Sequence, residues 1–160
     1  VDVQFPWEKH IPRRNHAAVL DLGPFFIDQY PVTRDEYAAY LNSTGYEPKD
    51  KRGFLKGWTN NKVPPGTGRQ PVTSVSLREA RLYCKWAGKR LPHTYEWQLA
   101  AQGLDGRIYP WGNQTDESRY PPAQHPSGPE PAKWTGPADV DAFAAKGTSP
   151  YGMADVVGNV

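Results

Sequence analysis

The chain has 160 residues, which suits a single domain, and its 15 glycines and 17 prolines predict a fold rich in loops. No run of about 18 apolar residues occurs, so no membrane-spanning helix is expected. Lysines and arginines number 19 against 17 aspartates and glutamates, a balance that gives no reason to expect a nucleic-acid partner. The single cysteine, Cys84, excludes a disulfide within the chain.

The N-terminal part of the chain predicts irregular structure followed by short strands. Residues 1–24 are polar and rich in proline, so we expect an N-terminal extension or an edge segment there. Short apolar runs at residues 17–22 and 25–27 are bounded by breakers and predict strands. Pro31 favours a turn before the first helix.

Two capping boxes predict where the first two helices begin. Thr33 and Glu36 have the spacing at which a hydroxyl and a carboxylate each accept from an orphaned backbone N–H, and Ser76 and Glu79 repeat it. The first helix is expected to end at Gly45, with Tyr37, Tyr40 and Leu41 on its buried face. The expected buried stripe of the second helix, which ends at Gly88, consists of Leu77, Ala80, Cys84 and Ala87.

The rest of the chain predicts one more helix between long loops. A third helix is expected over residues 94–102, after His93 in a weaker cap position. The loop of residues 47–68 contains Phe54, Leu55 and Trp58, so we expect it to pack against the core. Residues 113–150 have no clear periodicity. Residues 151–160 predict a turn that leads into an apolar strand, and we expect the fold to continue beyond it.

Several motifs occur in the order of one known family. Phe26-Ile27-Asp28-Gln29-Tyr30-Pro31-Val32-Thr33 comes first, and Pro71-Val72-Thr73-Ser74-Val75-Ser76 follows it. Trp86-Ala87-Gly88-Lys89-Arg90-Leu91-Pro92, Tyr109-Pro110-Trp111-Gly112 and Gly158-Asn159-Val160 complete the series. In this order the motifs resemble the formylglycine-generating-enzyme (sulfatase-modifying factor) family.

The resemblance implies a loop-rich α+β fold of the irregular, C-type-lectin-like kind. On this reading residues 25–160 are a truncated sulfatase-modifying-factor-like domain, and the remainder of the same domain beyond residue 160 is its expected partner. A protein or peptide substrate is a further expected partner, whereas no nucleic acid or membrane is expected.

The resemblance leaves three functions open. One branch oxidises a sulfatase cysteine to formylglycine with O2 and a copper ion held by two cysteines, which lie beyond the motif at which this chain ends. A second branch serves as an accessory domain of ergothioneine-type iron sulfoxide synthases. Other members are binding or scaffold modules without chemistry. We therefore expect no catalytic or cofactor-binding residue within this chain, and copper only if a cysteine pair lies outside it.

Neither the cysteine nor the histidines favour a reactive site. Helix periodicity buries Cys84, and a buried thiol behaves as an inert apolar group. The four histidines are His10, His16, His93 and His125. The spacing of the first two suits neither a helix face nor a strand face, so we favour structural or solvated roles over iron ligation.

The resemblance also implies structural calcium. In the family, a side chain at the position of Asp155 binds the ion together with the carbonyls at Gly158 and Val160. The alternative, that Asp155 only caps a turn, remains equally open. A second calcium position would involve Asp141 and the carbonyl of Phe143, although the Asn-x-Trp motif that should precede it has no counterpart here.

The remaining motif residues favour structural roles. Trp86, Trp97, Tyr109 and Trp111 are expected in the core rather than on a ligand platform. The resemblance implies that Arg90 is a buried structural arginine. The triplets that begin at Asn42 and Asn113 match the glycosylation acceptor pattern and are a hint of the secretory pathway.

Overall fold

A computed structural model describes residues 19–121 and 136–159. Within these ranges the chain forms four α-helices and one short 3-10 helix, joined by long irregular segments. The α-helices are α1 (Arg34–Thr44), α2 (Leu77–Trp86), α3 (Thr94–Gln102) and α4 (Ala144–Gly147), and the 3-10 helix is Glu117–Arg119. No helix of the described part is long and apolar enough to cross a membrane.

Both predicted capping boxes form. The Thr33 backbone N–H donates to the Glu36 carboxylate at 2.8 Å, and the Glu36 N–H donates back to the Thr33 hydroxyl at 3.3 Å. At α2 the Ser76 N–H donates to Glu79 at 2.7 Å, and the Glu79 N–H returns to the Ser76 hydroxyl at 3.4 Å. Gly45 ends α1 in the left-handed conformation, as the sequence predicts.

The main core lies between α1, α2 and the loop that joins them. Its buried residues are Tyr37, Tyr40, Leu41, Leu55 and Tyr83. The rings of Tyr37 and Tyr83 stack at 5.5 Å, which joins the two helices. Leu55 is 3% exposed, and the partly buried Phe54 and Trp58 pack against the same cluster, so the prediction of a packed loop is confirmed.

The buried stripe predicted for α2 is wrong in detail. Leu77 is 60% exposed and Cys84 is only half-buried, whereas Glu79 and Tyr83 face inward. The stacking of Tyr83 on the rings of α1 sets the rotation of α2 about its axis. Leu77, in the first turn, then points to solvent.

A second, smaller core lies beside α3. Ala100, Ala101 and Met153 are buried there, with Phe25 and Ile27 packed against them. Phe26 between them is fully exposed, so residues 25–27 alternate like a strand.

The predicted strands themselves do not form among the described residues. Residues 19–22, 25–27 and 151–159 are all irregular, and the β-pairing that the structure describes consists of isolated bridges such as Thr33 with Pro71. The alternation at residues 25–27 is present, but no neighbouring segment supplies a ladder of hydrogen bonds. Residues 17 and 18 lie outside the described ranges.

Three motif side chains are more exposed than expected. Trp86 and Trp97 are each 44% exposed, although the Trp86 ring lies 5.6 Å from Tyr40 and 5.7 Å from Tyr83 of the main core. The Arg90 side chain is 57% exposed, although both of its terminal nitrogens bind the Glu96 carboxylate, at 2.6 and 2.7 Å. Arg90 therefore links the α2–α3 connection to α3 from a half-exposed position rather than a buried one.

Candidate functional site

The candidate site lies where residues 149–159 fold back onto the rest of the molecule. Ser149 is buried, and its hydroxyl accepts the backbone N–H of Met153 at 3.1 Å, which closes a turn. The next residue, Ala154, donates its N–H to the Gln29 carbonyl at 2.8 Å. These bonds fix the start of the segment that carries Asp155.

After Ala154, three residues of this segment adopt the left-handed conformation. Their φ angles are +55° at Asp155, +78° at Gly158 and +82° at Asn159. Asparagine and aspartate tolerate this conformation better than most side chains, because they form local hydrogen bonds. The segment therefore curls into a tight turn, with Asp155 and Asn159 at its ends.

Asn159 is the polar centre of this turn. It is 1% exposed, its Oδ1 accepts the Ala138 N–H at 2.7 Å, and its Nδ2 donates to the Ala138 carbonyl at 3.1 Å. The same Nδ2 donates to Oδ2 of Asp155 at 2.7 Å. One buried side chain thus joins the turn to residue 138 and holds the carboxylate in place.

The second oxygen of Asp155 has no such partner. Oδ1 is buried and accepts no hydrogen bond from the described residues. Burial raises the pKa of this carboxyl, nearby Asp141 raises it further, and the Asn159 hydrogen bond acts in the opposite direction. A buried carboxylate oxygen without a donor costs about 1–3 kcal/mol, and a bound cation would remove that cost.

The structure brings together only part of the predicted calcium ligands. Asp155 and Gly158 lie in one turn, but Val160 is outside the described residues. The described part contains no group of three or more histidine, cysteine, aspartate or glutamate side chains that could hold a metal ion. Any cation at Asp155 would therefore depend on carbonyl oxygens and water for most of its ligands.

Asp141 has different surroundings. Its carboxylate forms an ion pair with the Arg69 guanidinium, 72 residues away in the sequence. The Phe143 carbonyl accepts the N–H groups of Lys146 and Gly147, at 3.1 and 2.7 Å. The two ligands predicted for a second calcium position are thus both engaged within the protein.

Among the described residues, neither Cys84 nor His93 belongs to a group of three or more side chains that could bind a metal ion. Burial raises the pKa of Cys84, Asp28 raises it further and Lys89 lowers it, which favours the thiol over the nucleophilic thiolate. The backbone N–H of His93 donates to Glu96 at 2.7 Å at the start of α3. The other three histidines, His10, His16 and His125, lie outside the described residues.

The expected aromatic group near residue 110 forms a stack of three rings. Trp111 lies parallel to Tyr109 at 5.4 Å and to Tyr120 at 5.9 Å, and the Arg119 guanidinium lies 5.8 Å from the Trp111 ring. The Trp111 indole N–H donates to the Gln114 carbonyl at 3.0 Å. The rings bind one another, which agrees with a packing role.

Sequence comparison identifies the family. A family model described as "Sulfatase-modifying factor enzyme 1-like domain" matches residues 5–160. The chain belongs to this family. Its relatives include a formylglycine-generating enzyme of Thermomonospora curvata, 34% identical over 87% of this chain and 58% of that protein. The inactive C-alpha-formylglycine-generating enzyme 2 of Bos taurus is 31% identical over 88% of this chain and 59% of its own length.

The family domain also occurs in a different setting. A serine/threonine-protein kinase of Chlamydia pneumoniae is 30% identical over 87% of this chain but only 22% of its own length. This sulfatase-modifying-factor chain spans a little over half the length of the two formylglycine-generating-enzyme relatives named above. The relatives therefore include a protein named as an enzyme, a protein named as inactive and a much longer protein named as a kinase.

Two residues of the site could not be found by sequence reasoning. Asn159 lies in the Gly158-Asn159 pair, where asparagine signals a positive φ, but nothing in the sequence indicates its bond to Ala138. Arg69 has no local signal at all, because its partner lies far along the chain.

Proposed function

We propose that this chain is the N-terminal part of a formylglycine-generating-enzyme-like domain with the C-type-lectin-like fold. In a longer protein that contains it, this domain oxidises a cysteine of a sulfatase to formylglycine. The match of the family model to residues 5–160 carries the proposal, and the relative named formylglycine-generating enzyme in Thermomonospora curvata supports it.

The chain itself supplies structure rather than the reacting groups. The copper ion of such an enzyme needs two thiolates, and this chain has the single cysteine Cys84, half-buried on α2 and favoured as the thiol. Copper therefore does not fit the residues present, and no step is assigned to them. A segment after residue 160 would have to supply the cysteine pair and complete the domain.

Asp155 is proposed to hold a structural calcium ion together with the carbonyls of Gly158 and Val160. Two observations on the Asp155 carboxylate support calcium binding over the role of a simple turn cap. Oδ2 is held by Asn159, and Oδ1 is buried without a donor. Oxygen ligands of this kind suit calcium, and the ion would compensate the charge of the half-buried carboxylate.

Calcium binding predicts that Asp155→Ala lowers the unfolding midpoint more in calcium buffer than in chelator, where only the hydrogen bond from Asn159 is lost. A ligand at 100 times its dissociation constant stabilises by about 2.7 kcal/mol, and only the calcium condition contains that contribution. Differential scanning calorimetry in both buffers measures it. Asp105→Ala, which removes an exposed carboxylate paired with Arg107, should lower the midpoint equally in both. An equal loss for Asp155→Ala in the two buffers would argue for the turn cap.

A non-catalytic binding or scaffold module is the second candidate. The relative named inactive in Bos taurus and the multidomain kinase relative favour it. The third candidate, an accessory domain of an iron sulfoxide synthase, would need a set of iron-binding histidines elsewhere in the protein.

The deciding experiment uses the longer protein that contains this chain. It is incubated in air, with copper and a thiol reductant, with a cysteine-containing peptide from a sulfatase, and a hydrazide probe then captures any aldehyde. Aldehyde formation that disappears when a serine peptide replaces the cysteine peptide supports the oxidase. Its absence from a folded, copper-loaded protein favours the binding module, and bound iron in place of copper favours the sulfoxide synthase.

A further inference from the structure

Asp141 and Arg69 lie together in one part of the molecule, called here the Asp141 corner, and Arg69 supplies its positive charge. The Arg69 guanidinium binds the Asp141 carboxylate, and the two side chains are 63% and 45% exposed. We propose that the Arg69 guanidinium replaces a metal ion at Asp141, so that this corner is held by an internal ion pair and needs no calcium. This inference goes beyond the proposed function and depends on contacts separate from Asp155.

The two ligands predicted for a metal at this corner are largely engaged within the protein. A carbonyl oxygen has two lone pairs, and the Phe143 carbonyl already accepts two backbone N–H groups, from Lys146 and Gly147. Calcium takes about six to eight oxygen ligands. Asp141 can offer only its second carboxylate oxygen, so an ion here would have to break bonds that the protein already makes.

Backbone contacts hold Arg69 in the position that the ion pair requires. The Arg69 carbonyl accepts the Val140 N–H at 3.1 Å, immediately beside Asp141. On either side of Arg69, the Gly68 and Gln70 carbonyls accept from the N–H groups of Asp35 and Arg34, at 3.0 and 2.9 Å. Arg69 therefore links the first turn of α1 to residues 140–141, as a bridging metal ion would do.

The loop at Gly68 approaches α1 closely. A Cβ atom at Gly68 would lie 2.1 Å from the Asp35 carboxylate, so a larger residue there would require the exposed Asp35 side chain to move. Asp139 adds a further negative charge near Arg69. The guanidinium is thus placed among acidic groups by the backbone rather than by chance contact of two long side chains.

The two aspartates of the C-terminal region therefore differ in what they lack. Asp155 has a buried oxygen with no donor, whereas Asp141 is half-exposed and already neutralised by Arg69. The first carboxylate thus has an oxygen without a donor, whereas the second already has Arg69 as its counter-ion.

Calcium titration of the chelator-treated protein tests this assignment directly. Calorimetry compares the wild type with Asp141→Asn and with Arg52→Met, a control that removes an exposed arginine paired with Asp50. We expect both variants to bind the same number of calcium ions as the wild type. The affinity should be unchanged in Arg52→Met and only a few-fold weaker in Asp141→Asn, because the Asp141 charge acts on nearby Asp155. The loss of one ion in Asp141→Asn, or a weakening of about tenfold, would overturn the proposal.

If the protein binds no calcium, that result contradicts the proposed calcium site at Asp155 but not the ion pair at Asp141. A second measurement therefore tests the ion pair without calcium. Unfolding midpoints in chelator are compared for Arg69→Met, Asp141→Asn and the double variant. We expect each single variant to lower the midpoint slightly and the double variant to lower it no further, because both remove the same pair. If the losses in unfolding midpoint were additive, or if neither single variant lost stability, the proposal that the Arg69–Asp141 pair holds this corner would be wrong.

Discussion

The region of α1 and α2 and the region of residues 136–159 are held together in different ways. The first has a core of stacked tyrosines and two aliphatic side chains between capped helices. The second has a single four-residue helix. Polar side chains such as Asn159 and Ser149 form hydrogen bonds with backbone groups elsewhere in this second region. Apolar burial dominates in the first region. In the second, side-chain hydrogen bonds, some of them to distant partners, add to the burial of Met153.

The largest effect that separates the two regions is expected at Tyr37. Tyr37→Ala should lower the free energy of unfolding by about 3–5 kcal/mol, because the buried ring stacks on Tyr83 and contacts Tyr40 edge to face. Urea unfolding followed by circular dichroism measures the loss. Tyr37→Phe is the matched control, because the Tyr37 hydroxyl is buried without a partner and its removal should be neutral or stabilising. A large loss for Phe would contradict this view of the core.

The corresponding test of the polar region is Asn159→Ala. It removes the bonds to both backbone groups of Ala138 and the donor to Asp155, so it should cost about 2–3 kcal/mol. Asn42→Ala, at an exposed position of α1, should change the free energy by less than about 0.5 kcal/mol. If both variants were equally stable, the turn around Asn159 would not depend on its side chain.

The two regions also differ in how much the sequence could predict. Capping boxes at Thr33 and Ser76 located α1 and α2, since each box is formed within four residues of chain. The tyrosine face of α1 followed from helical spacing, but the rotation of α2 did not, because it depends on where Tyr83 stacks.

In the second region the controlling contacts are long-range. Asn159 binds Ala138 across 21 residues and Arg69 binds Asp141 across 72, and no local pattern encodes such distances. The sequence could predict that Asp155 lies in a turn, but not that one of its oxygens would be buried without a donor. The expected strands failed for the same reason, because a strand needs a partner that local alternation cannot specify.

The capping box of α2, in the first region, can be tested by a variant with a smaller expected effect. Ser76→Ala should destabilise the protein by about 1 kcal/mol, because it leaves the Glu79 N–H at the start of α2 without its acceptor. Ser76→Asp keeps an acceptor and should recover most of the loss. Thermal unfolding followed by circular dichroism measures both variants. If Ser76→Ala proved as stable as the wild type, the position of α2 would depend on the tyrosine core alone.

The smallest expected effect concerns how the stability of the protein depends on pH through Glu96, which both caps α3 and forms an ion pair with Arg90. Hydrogen bonds from Arg90 and from the His93 backbone lower the pKa of Glu96 from 4.5 to about 2. The folded state therefore favours the carboxylate, and this stabilisation is complete above pH 4.5 and is lost as the pH falls towards about 2.

Between about pH 2 and pH 4.5, Glu96→Gln should make the unfolding midpoint less dependent on pH. Above pH 4.5 the slope of the midpoint against pH should change little. Thermal unfolding at several pH values measures the slope. Glu47→Gln, at an exposed ion pair with Lys51, should leave most of the slope in place. An unchanged slope in Glu96→Gln would mean that the Arg90 bond does not persist in solution.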